Sequence, residues 1–216
     1  IMERTQGRPL PSGRLTVNEA LVFSIVVGII GVGSLFMING LCAWLGLLAM
    51  VLYVLTYTPL KTVTPLSVFV GAIPGSFPPM LGYVAATASF GLEAGVLFAV
   101  QFFWQFPHFW AIAWKLNDDY LKAGFKMLPS LGGRDKKSAF QILIYTAMML
   151  PMGATPYLIG MSNVYSVPLS IVLLLPMLIH SVRLYLSLEM QFAKKVMFAS
   201  FYYLPLIQVI YLITKI

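Results

Sequence analysis

The chain has 216 residues, 59% of them hydrophobic and only 10% charged, with a mean hydropathy of +0.86. A soluble domain carries roughly a quarter charged residues, so this composition excludes an ordinary water-soluble fold and describes a chain solvated by lipid. The net charge of +7 would suit nucleic acid on a soluble protein. Here its distribution along the chain reads as membrane orientation, and nucleic acid is not an expected partner.

Uncharged runs long enough to cross a bilayer, about 17–25 residues, occur seven times: 20–38, 41–57, 66–86, 92–114, 139–159, 165–181 and 196–213. The expected fold is therefore all-α, a polytopic membrane helix bundle of about seven transmembrane helices forming one domain over residues 1–216. If each run crosses, alternate loops share a side, and 13 of the 14 Lys and Arg residues fall on one of them, with only Lys215 opposite. The positive-inside rule puts that side, including loops 1–19 and 115–137, in the cytoplasm or the equivalent matrix compartment. Cys42 is the single cysteine, which excludes an internal disulfide and a thiolate metal cluster. No signal-peptide pattern is present, and a chain opening on Ile1 reads as a piece of a longer protein.

Residues 1–19 form a polar, turn-rich segment in which Arg4, Arg8 and Arg14 are either a positive-inside flank or anion ligands. Thr16 followed by Glu19 fits a capping box, which starts the first helix at Val17. Gly28, Gly31 and Gly33 in that span suit close helix packing, because no strand precedes them and no Lys-Ser/Thr follows as a nucleotide loop requires. Lys61, alone between Pro59 and Pro65, is either a snorkelling anchor or a ligand. The third span holds Pro74, Pro78 and Pro79 with three glycines, so it must be kinked or locally unwound.

The fourth span runs into the most unusual stretch, QFFWQFPHFWAIAWKLNDDYLKAGFKMLP (residues 101–129). On helical spacing Gln101, Gln105, His108, Lys115 and then Asp118 or Asp119 fall along one face, with Pro107 expected to bend the helix. Polar groups at membrane depth are costly, which makes such a line a functional-site hypothesis; the competing reading of His108 is a satisfied structural group. In the loop that follows, Asp135 is expected to cap the next helix. His180 and Arg183 read as interfacial anchors. No internal repeat is evident.

On the basic side, Asp118, Asp119, Tyr120 and a set of cations gather at the mouth of apolar helices. Carboxylates at a water-facing edge suit Mg²⁺, and Arg and Lys suit phosphate oxygens. A ligand with a diphosphate head and a hydrocarbon tail matches both halves.

The stretches MERTQGRPLPSGRLT (2–16), YTPLKTVTPLSVFVGAIPGSFPPMLGY (57–83) and WQFPHFWAIAWKLNDDYLKAGFKMLP (104–129) together resemble the protoheme IX farnesyltransferases (heme O synthases), a family of UbiA-type intramembrane prenyltransferases. The resemblance covers the whole chain, and the run from WQFPHF through DDY and AG to MLP separates heme farnesylation from the quinone and chlorophyll branches. It implies nine helices around a central cavity open to the cytoplasm, hence a chain lacking the first two. The family's first aspartate-rich motif would lie just upstream of Met2 and is not in this sequence. The second maps to Asp118 and Asp119, a shorter motif than the spaced pair of the quinone branch, with Asp119 on Mg²⁺ and Asp118 supporting it. The resemblance further implies farnesyl diphosphate and heme B as substrates and Mg²⁺ as cofactor. Asp118, Asp119 and Lys61 would be catalytic, and Arg4, Arg8, Lys61, Lys122 and Tyr120 would bind the diphosphate. Tyr57, Trp104, Phe106 and Phe109 would shield the allylic cation, while His108 and Gln105 would meet the heme. The expected setting is a bacterial inner membrane with the site facing the cytoplasm, and heme A synthase or terminal-oxidase assembly factors as partners.

Three alternatives stand beside this reading. One is prenylation of an aromatic quinone precursor. A second is a transporter using the kinked third and fourth spans, against which stands the lack of repeat symmetry and of acids at mid-membrane depth. The third is a non-catalytic heme-binding protein, whose heme binding would survive loss of Asp118 and Asp119.

Overall fold

Thr16 and Glu19 close the expected box: Glu19 N donates to Thr16 Oγ1 at 3.2 Å and Thr16 N to Glu19 Oε2 at 2.8 Å, so α1 (Val17–Ile38) begins at Val17. The structure is a computed structural model and describes residues 2–216; Ile1, at the head of the 1–19 loop, lies outside them. No residue of α1 is buried, and the helix packs on α2 (Gly40–Val51), as suits a lipid-facing outer helix. Asn39 makes the turn between them. Its side-chain oxygen accepts from Cys42 N at 2.8 Å and its amide donates to Val84 O at 3.1 Å.

Helix α2 continues through one π-helical turn, Leu52–Tyr57, into α3 (Thr58–Val63), making one apolar rod from Gly40 to Val63. In that turn the Thr58 backbone N–H and its Oγ1 both donate to Tyr53 O, and the Tyr53 and Tyr57 rings lie 5.0 Å apart. Such turns recur at functional sites.

The proline-rich third span breaks as expected, into α4 (Ser67–Gly75) and α5 (Phe77–Thr87), with the discontinuity at Ser76. Pro79 has no N–H for Gly75 O, and Gln101 Nε2 serves that carbonyl at 3.3 Å. Ser76 N turns to Ile73 O, so Ala72 O receives Ser76 Oγ at 2.6 Å and Gln105 Nε2 at 3.0 Å instead.

Helix α6 (Leu92–Lys115) runs unbroken through Pro107 and is the most buried element of the fold. It closes a four-helix ring with α8 (Lys136–Leu158), α9 (Ser166–Ser187) and α10 (Met190–Ile213), while α4 and α5 pack on its other side. Small and polar groups bring these helices together: Thr146 meets Ser181 at 3.1 Å, and Tyr211 O–H donates to Gly153 O at 3.2 Å. The short α7 (Asn117–Lys122) follows α6, and Asp135 caps α8 as expected, accepting from Ser138 N at 2.8 Å.

The architecture is all-α, with no β-strand among the described residues. Among the described residues, six helical segments are long and apolar enough to cross a membrane; the remaining expected run, 139–159, lies in the 23-residue α8 of the four-helix ring. Loops expected on one side do meet. Lys126 N donates to Lys61 O at 2.8 Å and Lys126 Nζ to Val63 O at 3.1 Å. At the opposite end, Asn163 N donates to Thr214 O at 2.8 Å, beside Lys215.

Candidate active site

The two adjacent acids of α7 have different surroundings. Arg134 donates to Trp114 O at 2.7 Å through Nε, which fixes its guanidinium against the end of α6. From there it forks onto Asp118, Nη1 to Oδ1 at 3.2 Å and Nη2 to Oδ2 at 3.1 Å. This bidentate pairing occupies both oxygens of Asp118. No ion pair to Asp119 forms among the described residues, so Asp119 is the carboxylate of α7 with its charge uncompensated.

Tyr120 follows and is half-buried. Burial is the main influence raising its phenol above the usual tyrosine range; the negative charge of Asp119 adds to the rise, and Arg4 opposes it. Tyr120 therefore stays a neutral hydrogen-bond donor at physiological pH. The same electrostatic contact brings Arg4, from the N-terminal segment, to α7. Tyr120 also lies within electrostatic reach of Tyr57 at the end of the π-turn. Its ring is 6.1 Å from that of Phe125, over which Lys61 Nζ sits at 4.8 Å. Arg4, Asp119, Tyr120, Lys61 and Tyr57 thus come from three separate stretches of chain to one rim.

Beside this rim is a small apolar pocket of about 50 Å³ lined by Tyr53, Tyr57, Val68, Gly71, Phe109 and Met127. Gly71 is required by close approach: a Cβ there would meet Tyr57 Cδ2 at 2.6 Å.

The polar line expected along α6 divides between two neighbours. Gln101 and Gln105 plug the α4–α5 break, Gln105 Nε2 also donating to Ser76 Oγ at 2.7 Å. His108 turns to α10, with Nδ1 2.7 Å from Ser200 Oγ. The Ser200 hydroxyl donates to Met197 O at 2.6 Å, which makes His108 Nδ1 the donor to it and assigns the Nδ1–H tautomer. Trp104 stacks on His108 at 4.4 Å and donates to Ser200 O at 2.9 Å.

The structure therefore gathers Tyr57 and Phe109 in one pocket and engages Trp104, Gln105 and His108 elsewhere. Phe106 faces a separate groove. Arg8 lines a surface pocket with Thr5 and Leu15, and Lys122 is exposed in the last turn of α7. Sequence reasoning missed Arg134 as the partner of Asp118 and Phe125 as the platform for Lys61. Neither pair has a local spacing that announces it.

No cluster of three His, Cys, Asp or Glu side chains able to hold a metal ion occurs among the described residues. A single free carboxylate at a cation-rich rim still fits Mg²⁺, which binds through one or two carboxylates when substrate phosphates and water complete its shell.

Comparison with known proteins shows the family. A profile of the UbiA prenyltransferase family matches residues 1–204. The protoheme IX farnesyltransferase of Cytophaga hutchinsonii is 46% identical, over all of this chain and 76% of its own length. That of Flavobacterium psychrophilum is 48% identical, over all of this chain and 73% of its own length. A solved structure from work on "the biosynthesis of Digeranylgeranylglyceryl phosphate synthase in membranes" superposes with a TM-score of 0.74 over 98% of this chain and 75% of that one. At 16% identity it speaks for the fold alone. The chain belongs to the UbiA prenyltransferase family, whose members are intramembrane helical enzymes.

Proposed function

We propose that this chain transfers a farnesyl group from farnesyl diphosphate to a vinyl group of protoheme IX (heme B), giving heme O. The observation that carries the proposal is the convergence of Arg4, Lys61, Tyr120 and the unpaired Asp119 on one rim beside an apolar aromatic pocket. The relatives named protoheme IX farnesyltransferase supply the identity of donor and acceptor.

The chemistry asks for three things of this chain. The pyrophosphate that leaves gathers charge, which Arg4 and Lys61 stabilise as fixed cations and Tyr120 as a neutral donor. Asp119 would hold Mg²⁺ and Asp118, set by Arg134, would support it; the ion supplies further charge neutralisation at the diphosphate. The allylic cation must be kept from water, and Tyr57, Tyr53 and Phe109 offer it π faces in an apolar setting. The heme vinyl group then attacks that cation, and water captures the new one, losing a proton to solvent, to leave a hydroxyethylfarnesyl substituent. Arg8 and Lys122 add positive potential to the same face. Trp104, Gln105 and His108 hold the walls in place, since their polar groups are bonded to α10 and to the α4–α5 break.

In this reading the rim faces the cytoplasm, following the basic loops, in the inner membrane of a bacterium. The test is to supply membranes bearing the protein with farnesyl diphosphate and heme B, and to read extracted hemes by mass spectrometry. Farnesylated heme is expected. Prenylation of an added aromatic quinone precursor, with heme unchanged, would overturn the assignment.

A further inference from the structure

A second cavity lies away from the rim. It is a lateral groove of about 530 Å³ between α4, α6 and α8, and α4 separates it from the Tyr57 pocket: Phe69 faces the groove, whereas Val68 and Gly71 face the pocket. Its aromatic floor is Phe106, Trp110 and Tyr145, three rings in mutual contact at centroid distances of 5.3, 4.5 and 5.1 Å.

Two features show that it is built for more than an inert hydrocarbon. Trp110 is 6% exposed, and its indole N–H is buried with no acceptor among the described residues. A buried donor without an acceptor is costly, and a ligand oxygen would satisfy it. The mouth, in turn, is cationic. Lys126 lines the groove on one side, and Gln141 on the other separates it from an open surface recess bearing Lys136 and Lys137. The acid beside these lysines, Asp135, is bonded by Ser130 and Ser138 with Lys137 in electrostatic reach, and Lys136 Nζ lies 5.5 Å over the Tyr185 ring.

The layers run from charged mouth to hydrogen-bond donor to apolar floor, at the membrane edge where the basic loops lie. A glycerophospholipid has the same order: phosphate, ester carbonyl, acyl chain. We infer that this groove binds an anionic glycerophospholipid, with the phosphate at Lys126 and the Lys136–Lys137 flank, an ester carbonyl at Trp110 Nε1 and an acyl chain over Phe69, Phe106 and Tyr145. Basic recesses between membrane helices on the cytoplasmic side commonly hold such headgroups. The inference is independent of the prenyl-transfer reading, because the two cavities share no lining residue.

Native mass spectrometry of the detergent-purified protein with added phosphatidylglycerol, phosphatidylcholine or inorganic phosphate tests it. Phosphatidylglycerol should be retained about tenfold better than phosphatidylcholine, and Trp110→Phe and Lys126→Gln should each cut its retention about fivefold to tenfold, the worth of one hydrogen bond to a charged or buried group. Lys195→Gln, on the α9–α10 side, should leave retention unchanged. If Trp110→Phe fails to fold, the surface change Lys126→Gln decides alone. Equal retention of both lipids would overturn the inference, as would binding of phosphate alone, an equal loss with Lys195→Gln, or no loss with Lys126→Gln.

Discussion

Arg134 holds both carboxylate oxygens of Asp118, at 3.2 and 3.1 Å, while Asp119 one residue on has no ion pair among the described residues. Adjacent acids of identical chemistry thereby have unequal surroundings, and the proposed function gives them unequal tasks. Asp119→Asn should lower turnover at least about a hundredfold, the scale of losing one charge-stabilising group in a transition state. Asp118→Asn and Arg134→Gln should each cost about tenfold or less. Because they disrupt the same pair, their double variant should be little worse than either single one. Rate assays on the four variants check this, and full additivity would show that Asp118 and Arg134 act separately.

Gly71 is where the pocket is most sensitive to volume. An added Cβ would fall 2.6 Å from Tyr57 Cδ2, and the ring must move to relieve it. Gly71→Ala should destabilise the fold by about 1–3 kcal/mol through overpacking. It should also raise KM for the prenyl donor more than it lowers kcat. Thermal unfolding and steady-state kinetics read the two effects separately.

Gln105 is buried near the middle of α6, and its amide serves Ala72 O and Ser76 Oγ across the α4–α5 break. Gln105→Leu keeps the volume and leaves those acceptors short of a donor, at a cost of about 1–3 kcal/mol. The expected result is a lower Tm with near-normal turnover per folded molecule. A loss of turnover with unchanged Tm would place Gln105 at the substrate.

His108 makes the same kind of prediction through a different partner. Its Nδ1 bonds Ser200 Oγ at 2.7 Å, so His108→Leu and Ser200→Ala should lower Tm to a similar extent, about 1 kcal/mol each, and leave heme binding intact. Heme spectra of the purified variants check this. Loss of a heme signal in His108→Leu alone would make the imidazole an iron ligand.

Asp135 ties stability to pH. Partial burial is the largest single influence on its carboxyl and pushes the pKa up. The bonds from Ser130 and Ser138, with Lys137 nearby, outweigh it and hold the group below the usual carboxylate range. A depressed folded pKa means that the stabilisation is present above the unfolded value, about 3.9, and is lost as pH falls through the folded one. Asp135→Ala should therefore cost about 1 kcal/mol at neutral pH. The difference should vanish in strong acid, as read by hydrogen exchange in the first turn of α8.

Features governed by local chemistry were legible in the sequence. The Thr16–Glu19 box, the Asp135 cap and the break among Pro74, Pro78 and Pro79 depend on residues a few positions apart, and the structure has each of them. What stayed hidden are partners distant in the chain: Arg134 for Asp118, Phe125 for Lys61, Ser200 for His108. The line through Gln101, Gln105 and His108 shows why. At about 100° per residue, Gln105 and His108 diverge by about 60° around the helix. That angle is enough to send one to the α4–α5 break and the other to α10. Periodicity finds a face but not the helix that faces it.

Binding of farnesyl diphosphate as a function of Mg²⁺, measured by calorimetry on the wild-type protein and on Asp118→Asn and Asp119→Asn, tests the rim most directly. Wild type and Asp118→Asn should bind the donor more tightly as Mg²⁺ rises, and Asp119→Asn should not respond. A metal response in Asp119→Asn equal to that of wild type would contradict the account, since no other uncompensated carboxylate of α7 remains to hold the ion.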